Sequence, residues 1–240
     1  MPTGPAWGSC SPTACSGPVS SPTDTRARWR GLYAITDPAR TPGPRLFEAV
    51  AAALRGGARV VQYRNKTAPP GVRRDEAARL AALCRAHGAP FLVNDDPRLA
   101  AEVEADGVHL GREDPELRQA RRLLGPRRWI GISCYNRLER ARQAQDAGAD
   151  YVAFGRFFPS RTKPEAVPAT PALLRAARRE LRLPVVAIGG ITPENGRVLI
   201  EAGADMLAVI HALFGQPDVE AAARALARLF EPGVPHDPIP

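Results

Sequence analysis

Eight short, almost wholly apolar runs recur along this chain, and they constrain its fold more than any other feature. They span 32–36, 60–64, 91–95, 107–111, 129–134, 151–155, 185–190 and 206–210. Each is rich in β-branched residues and lacks the in–out alternation of a half-exposed strand. That pattern fits parallel strands covered on both faces. The intervening segments carry Ala, Leu, Arg and Glu at helical spacing, for example over 75–87, 137–147 and 219–230. Eight strands, each followed by a helix or by room for one, predict an α/β fold: a single (β/α)8 TIM barrel of about 250 residues or fewer. A doubly wound open sheet is the alternative, but the first strand lacks the GxGxxG turn of a dinucleotide-binding fold.

Flanking composition sets the limits of this domain. Residues 1–28 are dense in Ser, Pro, Thr and Gly, and residues 231–240 hold four prolines, so both are expected to be disordered tails around a barrel over 29–230. Hydrophobic residues make up 44% of the 240, enough for a packed core. No apolar run approaches the ~20 residues of a membrane helix, and no secretory signal pattern is evident, so a cytoplasmic protein without a membrane partner is expected. Cys10, Cys15, Cys84 and Cys134 show no metal-ligand spacing and read as reduced bystanders. The net charge of +8 raises nucleic acid as a partner. Its basic residues are scattered along helices without interleaved aromatics, so no nucleic-acid platform is expected.

Echoes of a Gly/Glu-Ala-Asp turn place Asp106, Asp150 and Asp205 just before the fourth, sixth and eighth runs. These lie at the N-terminal face of a barrel, where turn and capping roles are expected.

Chemistry is expected at the opposite face. Only Lys66 and Lys163 are lysine among 33 basic residues, one at the end of the second strand and one in the loop after the sixth. The second strand ends Gln62-Tyr63-Arg64-Asn65-Lys66, and period two puts Gln62, Arg64 and Lys66 on one side. An amide, a guanidinium and an ammonium in a ladder suit a pyrophosphate, and the whole run 62–66 is a candidate binding segment. The third strand ends Asn94-Asp95-Asp96, and the fourth leads to Asp114. Asp95 and Asp114 on neighbouring strand ends form a candidate Mg²⁺ site, completed by substrate phosphates. Each could instead cap a helix; Asp96 can fill that role after the third strand, which frees Asp95.

The fifth strand presents Ser133, a hydrogen-bond donor to a phosphate or ring. The loop after the sixth concentrates Ser160, Arg161, Thr162 and Lys163, an anion clamp. The seventh strand ends in Gly189 and Gly190, and the eighth in Ile210 and His211; loops in these places commonly form a phosphate site. The mouth therefore offers two anion sites, one for a metal-bound pyrophosphate and one for a monophosphate. His87 and His236 lie in a helix and a tail, and His109 reads equally as core residue or catalyst. With no nucleophile–base pair evident, the constellation points to transfer of a group from pyrophosphate to a phosphorylated acceptor.

These residues resemble the thiamine-phosphate synthase family. The resemblance runs over about 31–215 and is carried by GLYAITDP, VVQYRNK, FLVNDD, ADGVHLGREDP, GISCYN, FFPSRTK and VVAIGGIT. It implies two phosphorylated small-molecule substrates, hydroxymethylpyrimidine pyrophosphate and thiazole phosphate, condensed to thiamine phosphate with Mg²⁺ as cofactor. Gln62, Arg64, Lys66 and Asn94 are then expected to hold the pyrimidine diphosphate, and Asp95 and Asp114 the metal. Arg64, Ser133 and Lys163 are expected to carry catalysis at the pyrophosphate. Ser160, Thr162, Gly190, Ile210 and His211 are expected at the thiazole phosphate. His211 departs from the family's usual serine, Ser160 from a common threonine, and the stretch at 166–169 from its usual polar or glycine-bearing form. A thiazole tautomerase-like relative and a phosphate-sensing regulatory barrel remain as alternatives. The sequence leaves the oligomeric state open, a homo-oligomer included.

Overall fold

Each of the eight apolar runs forms a strand, and the strands close on themselves. The computed structural model describes residues 30–111, 117–159 and 167–231. In chain order these form β1 (Gly31–Ile35), α1 (Arg45–Arg55), β2 (Ala58–Tyr63), α2 (Pro70–Ala86), β3 (Phe91–Asn94), α3 (Pro97–Glu102), β4 (Gly107–Leu110) and α4 (Leu117–Leu124). The second half continues with β5 (Trp129–Tyr135), α5 (Leu138–Asp146), β6 (Tyr151–Phe154), α6 (Pro171–Glu180), β7 (Val185–Ile188), α7 (Arg197–Glu201), β8 (Met206–Val209), α8 (His211–Phe214) and α9 (Val219–Arg228). Every strand pairs in parallel with its sequence neighbours, and β1 also pairs with β8, so the sheet is a closed (β/α)8 barrel. Apart from Glu231, the expected tails lie outside the described residues.

Strand polarity sorts the core into two layers. Leu32, Ala34, Val61 and Tyr63 face the helices, with Leu80, Leu174 and Leu199 in the same buried cluster. Tyr33, Ile35, Val60, Leu92, Tyr151, Val186 and Met206 fill the barrel interior instead. Gly131 makes room there, since a Cβ at that position would lie 1.9 Å from the Tyr151 ring. The helix α2 begins at Pro70, five residues before the expected start at 75. Its opening Pro-Gly pair reads as a turn, yet proline at the first helical position has its φ already set and needs no N–H partner.

The three turn aspartates share one job at the N-terminal face. Carboxylates of Asp106, Asp150 and Asp205 accept from the backbone N–H of Phe91, Ile130 and Val185 at 2.8, 2.7 and 2.8 Å. Their own backbone N–H groups donate to the carbonyls of the same three residues. Each pair ties the start of one strand to the turn entering the next. For Asp205 burial outweighs this hydrogen bond and the nearby Arg178, and pushes the carboxyl above its ordinary value.

Candidate active site

The C-terminal ends of the strands open into two adjoining cavities. The larger, about 880 Å³, lies over β2 to β5 and includes Arg64, Lys66, Asn94, Asp95, Ser133 and Arg140 among its lining. The smaller, about 290 Å³, lies toward β7 and β8 and includes Ile188, Gly189, Gly190, Thr192, Ile210 and His211. Arg64, Asn94, His109, Ser133 and Tyr135 line both. A ligand in one cavity therefore faces a ligand in the other across a shared set of side chains.

Alternation along β2 decides which of its residues reach this mouth. Gln62 and Arg64 point in. Gln62 is buried and donates from Nε2 to the Tyr33 hydroxyl at 2.7 Å. Tyr63 and Asn65 point to α2, where both donate to Oε2 of Glu76, at 2.6 and 3.0 Å. Asn65 also accepts from the Ala68 backbone N–H at 3.1 Å and shapes the following turn. Within the run 62–66, period two thus sends Tyr63 and Asn65 to the helix layer. Burial, reinforced by Glu76, holds the Tyr63 phenol well above its ordinary pKa.

Asp95 reaches the mouth by a different route. Its φ of 65° lies in the left-handed region, which bends the chain out of the β3 pleat. The Asp95 backbone N–H donates to the His109 carbonyl at 2.9 Å, and Oδ2 meets Lys66 Nζ at 2.6 Å. Asp96 caps α3, its Oδ1 accepting from Arg98 and Leu99 N–H at 3.1 and 3.0 Å. That division of labour leaves the Asp95 carboxylate at the cavity wall beside Asn94.

A carboxylate and an amide oxygen suit a hard divalent ion that takes its remaining ligands from phosphate and water, and the neighbouring cationic side chains suit those phosphates. Among the described residues no cluster of three or more His, Cys, Asp or Glu could hold a metal by itself. Mg²⁺ does not require one. Asp114, the second expected ligand, lies outside the described residues, as do Ser160, Arg161, Thr162 and Lys163.

At β5, Ser133 Oγ stands 2.9 Å from His109 Nε2. Arg140, reaching back from α5, donates through Nε to the Ser133 carbonyl at 2.8 Å and through Nη2 to the Gly111 carbonyl at 3.1 Å. It thereby ties together the ends of β4 and β5. Tyr135, with φ 55°, lines both cavities. Sequence reasoning missed Arg140 and Tyr135. One is an arginine in an arginine-rich helix, and the other depends on a backbone angle that no local motif announces.

The smaller cavity is shaped by backbone. Gly190 has φ +66°, and a Cβ there would lie 2.4 Å from the Pro159 carbonyl oxygen. The loops after β6 and β7 are thus in direct backbone contact. Asn195 fixes the same turn, accepting from Thr192 N–H at 2.8 Å and donating to the Gly190 carbonyl at 3.0 Å. The helix expected directly after this turn begins only at Arg197 and is five residues long. His211 opens α8, a four-residue helix that follows β8 immediately.

Comparison with known proteins agrees with this geometry. A family model described as thiamine monophosphate synthase matches residues 32–213. The thiamine-phosphate synthase of Alcanivorax borkumensis is 56% identical over 207 residues, covering 85% of this chain and 95% of that protein. That of Thiobacillus denitrificans is 57% identical over 201 residues, covering 83% and 94%. A solved thiamine phosphate pyrophosphorylase from Pyrococcus furiosus superposes with a TM-score of 0.78 at 38% identity, covering 85% of this chain and 96% of that one. With its motifs, its barrel and its relatives in agreement, this chain belongs to the thiamine monophosphate synthase family.

Proposed function

We propose that this protein condenses 4-amino-2-methyl-5-hydroxymethylpyrimidine pyrophosphate with 4-methyl-5-(2-phosphoethyl)thiazole, giving thiamine phosphate and pyrophosphate. The observation that carries the reading is the pair of cavities meeting at Arg64, Asn94, His109, Ser133 and Tyr135. A leaving group in one and a nucleophile in the other can share a single reacting carbon between them.

The larger cavity is matched to the diphosphate. Arg64 and Lys66 supply its charge, and Asn94, with Gln62 from the adjoining cavity, orients the pyrimidine end. Ser133 donates to the departing pyrophosphate, joined by Lys163. When bound by Asp95, Asp114 and the phosphates, Mg²⁺ neutralises charge on the leaving group. The carbon–oxygen bond breaks with its electron pair going to pyrophosphate, and the aminopyrimidine spreads the positive charge left on the methylene. The thiazole nitrogen then gives its lone pair to that carbon, forming the thiazolium. No proton is transferred in this sequence, so cations and hydrogen-bond donors suffice for it and the Ser133–His109 contact is not required to act as a nucleophile–base pair. On the acceptor side, Gly190, Ile210 and His211, with Ser160, Arg161 and Thr162, hold the thiazole phosphate.

Both substrates are multiply charged small molecules, so the enzyme is placed in the cytoplasm. Among the described residues no helix is long and apolar enough to cross a membrane. Some surface arginines are paired with carboxylates, Arg55 and Arg224 both with Glu220 and Arg142 with Glu180. This favours small anions over nucleic acid as partners.

The test is turnover. Purified protein, both substrates and Mg²⁺ are mixed, and thiamine phosphate is oxidised to fluorescent thiochrome. Product should vanish with EDTA and fall by on the order of 100-fold or more in Asp95→Ala, as expected when a transition-state charge loses its counter-charge. Absence of product from the wild type refutes the function. Undiminished product from Asp95→Ala refutes the metal assignment.

A further inference from the structure

A hydrogen-bonded chain of side chains from five different strands crosses the barrel interior beneath the site. It runs from Gln62 Nε2 to the Tyr33 hydroxyl at 2.7 Å, on to the Tyr151 hydroxyl at 2.9 Å, and then to His109 Nδ1 at 2.9 Å. From His109 Nε2 it reaches Ser133 Oγ at 2.9 Å. Tyr33 and Tyr151 are fully enclosed, and neither lines a cavity. Burial pushes both phenols well above their ordinary pKa, so each keeps its single proton. Tyr151 is further fixed by its stacking on His109, with centroids 5.5 Å apart, and by the space left at Gly131.

The chain has a direction because one end can only donate. An amide N–H of Gln62 gives its hydrogen bond to Tyr33. Tyr33 therefore passes its own proton to Tyr151, and Tyr151 passes its proton to His109 Nδ1. With Nδ1 an acceptor, the neutral ring carries its hydrogen on Nε2 and donates to Ser133 Oγ. Ser133 has then accepted from inside the barrel, and its own proton is left to point outward. The opposite direction would make Tyr33 accept from both neighbours and strand its proton in the core, an arrangement that buried polar groups avoid.

We propose that Gln62, Tyr33, Tyr151 and His109 form a positioning relay that fixes the His109 tautomer and makes Ser133 an obligate hydrogen-bond donor to the leaving pyrophosphate. The inference rests on the assignment of Ser133 to that pyrophosphate. It adds that Ser133 is oriented from beneath, through Tyr33 and Tyr151, which line neither cavity. Tyr33 and Tyr151 are positioning residues, distinct from the groups at the cavity wall.

The relay is read directly by the ¹⁵N shifts of the His109 ring in long-range ¹H–¹⁵N spectra of the substrate-free enzyme, with the resonance assigned by its loss in His109→Gln. The wild-type ring is expected to be protonated at Nε2 alone. Tyr151→Phe, which keeps the ring packing, should give a mixture of tautomers. Its kcat should fall roughly 10- to 100-fold, the loss of one aligned hydrogen bond to a charged group, with both KM values held within about threefold. His109→Gln retains an amide donor for Ser133 and should be about tenfold more active than His109→Leu. Tyr33→Phe, which cuts the relay one bond further out, should shift the tautomer in the same direction and gives a second readout should Tyr151→Phe not fold.

A wild-type ring protonated at Nδ1 overturns the proposal, as does a folded Tyr151→Phe with unchanged tautomer and turnover. Ser133→Ala with wild-type kcat overturns its last link. Because the spectra need no substrate, failure of the relay is distinguishable from failure of the proposed reaction.

Discussion

Gly190→Ala isolates the contact that shapes the acceptor cavity. Two costs follow from the structure. A non-glycine residue at φ +66° is disfavoured by about 1–2 kcal/mol. The added methyl would also lie 2.4 Å from the Pro159 carbonyl oxygen and 2.8 Å from the Phe158 carbonyl carbon. Restoring ordinary contact moves the loop after β6 away from the β7 turn by about 1 Å, and a misplacement of that size costs about 100-fold when it displaces a reacting group. Gly125→Ala separates the two costs. At φ +73°, with nothing within 4 Å of its would-be Cβ, Gly125 lies in the turn before β5, at the far end of the barrel. It should lose stability from conformation alone, lowering Tm by about 2–8 °C for a domain of this size, and should keep wild-type kinetics. Gly190→Ala should melt at least as low. It should also lose about 100-fold in kcat/KM for thiazole phosphate, with the KM for the pyrimidine diphosphate within about threefold. Initial rates by thiochrome fluorescence and thermal melts of both variants measure this. Kinetics for Gly190→Ala matching those of Gly125→Ala would refute the reasoning.

Asp205→Ala leaves the buried Val185 N–H without its acceptor and should cost about 1–3 kcal/mol. Asp205→Asn keeps an oxygen there and should cost less. Because burial raises the Asp205 carboxyl above its ordinary 3.8, its contribution to stability is complete below that value and is lost as pH rises through the folded-state value. Thermal melts from acid to neutral pH should show that dependence in the wild type and lack it in Asp205→Asn. Cys84 and Cys134 are buried, and burial pushes both thiols up to about 12. Neither should be alkylated by iodoacetamide in the native protein at neutral pH, while both should react after denaturation; native labelling by peptide mass spectrometry would contradict this.

Much of the architecture was legible because parallel strands buried on both faces leave continuous apolar runs, and eight of them recur at barrel spacing. The ladder on β2 was legible only as far as period two was applied. It separates Gln62 and Arg64 from Tyr63 and Asn65, whose true partner is Glu76. Simple alternation along β3 does not bring Asp95 to the mouth beside Lys66; its left-handed backbone does. Asp96 could be read as the cap of α3 because capping is local, two and three residues apart. The interior relay was illegible for the opposite reason. Tyr33 and Tyr151 are 118 residues apart, and His109 and Tyr151 are 42 apart, so only closure of the barrel brings them together. His109 consequently read equally as core or catalyst.

The central claim is that one barrel mouth holds two anions side by side, the pyrophosphate through Asp95 and a divalent ion and the monophosphate through the β7–β8 loops. Isothermal titration tests it without turnover, since inorganic pyrophosphate and thiazole phosphate do not react with each other. Thiazole phosphate should bind enzyme already saturated with Mg²⁺ and pyrophosphate, with pyrophosphate binding abolished by EDTA or by Asp95→Ala and thiazole phosphate binding preserved. Exclusion of thiazole phosphate by bound pyrophosphate would contradict the two-site account.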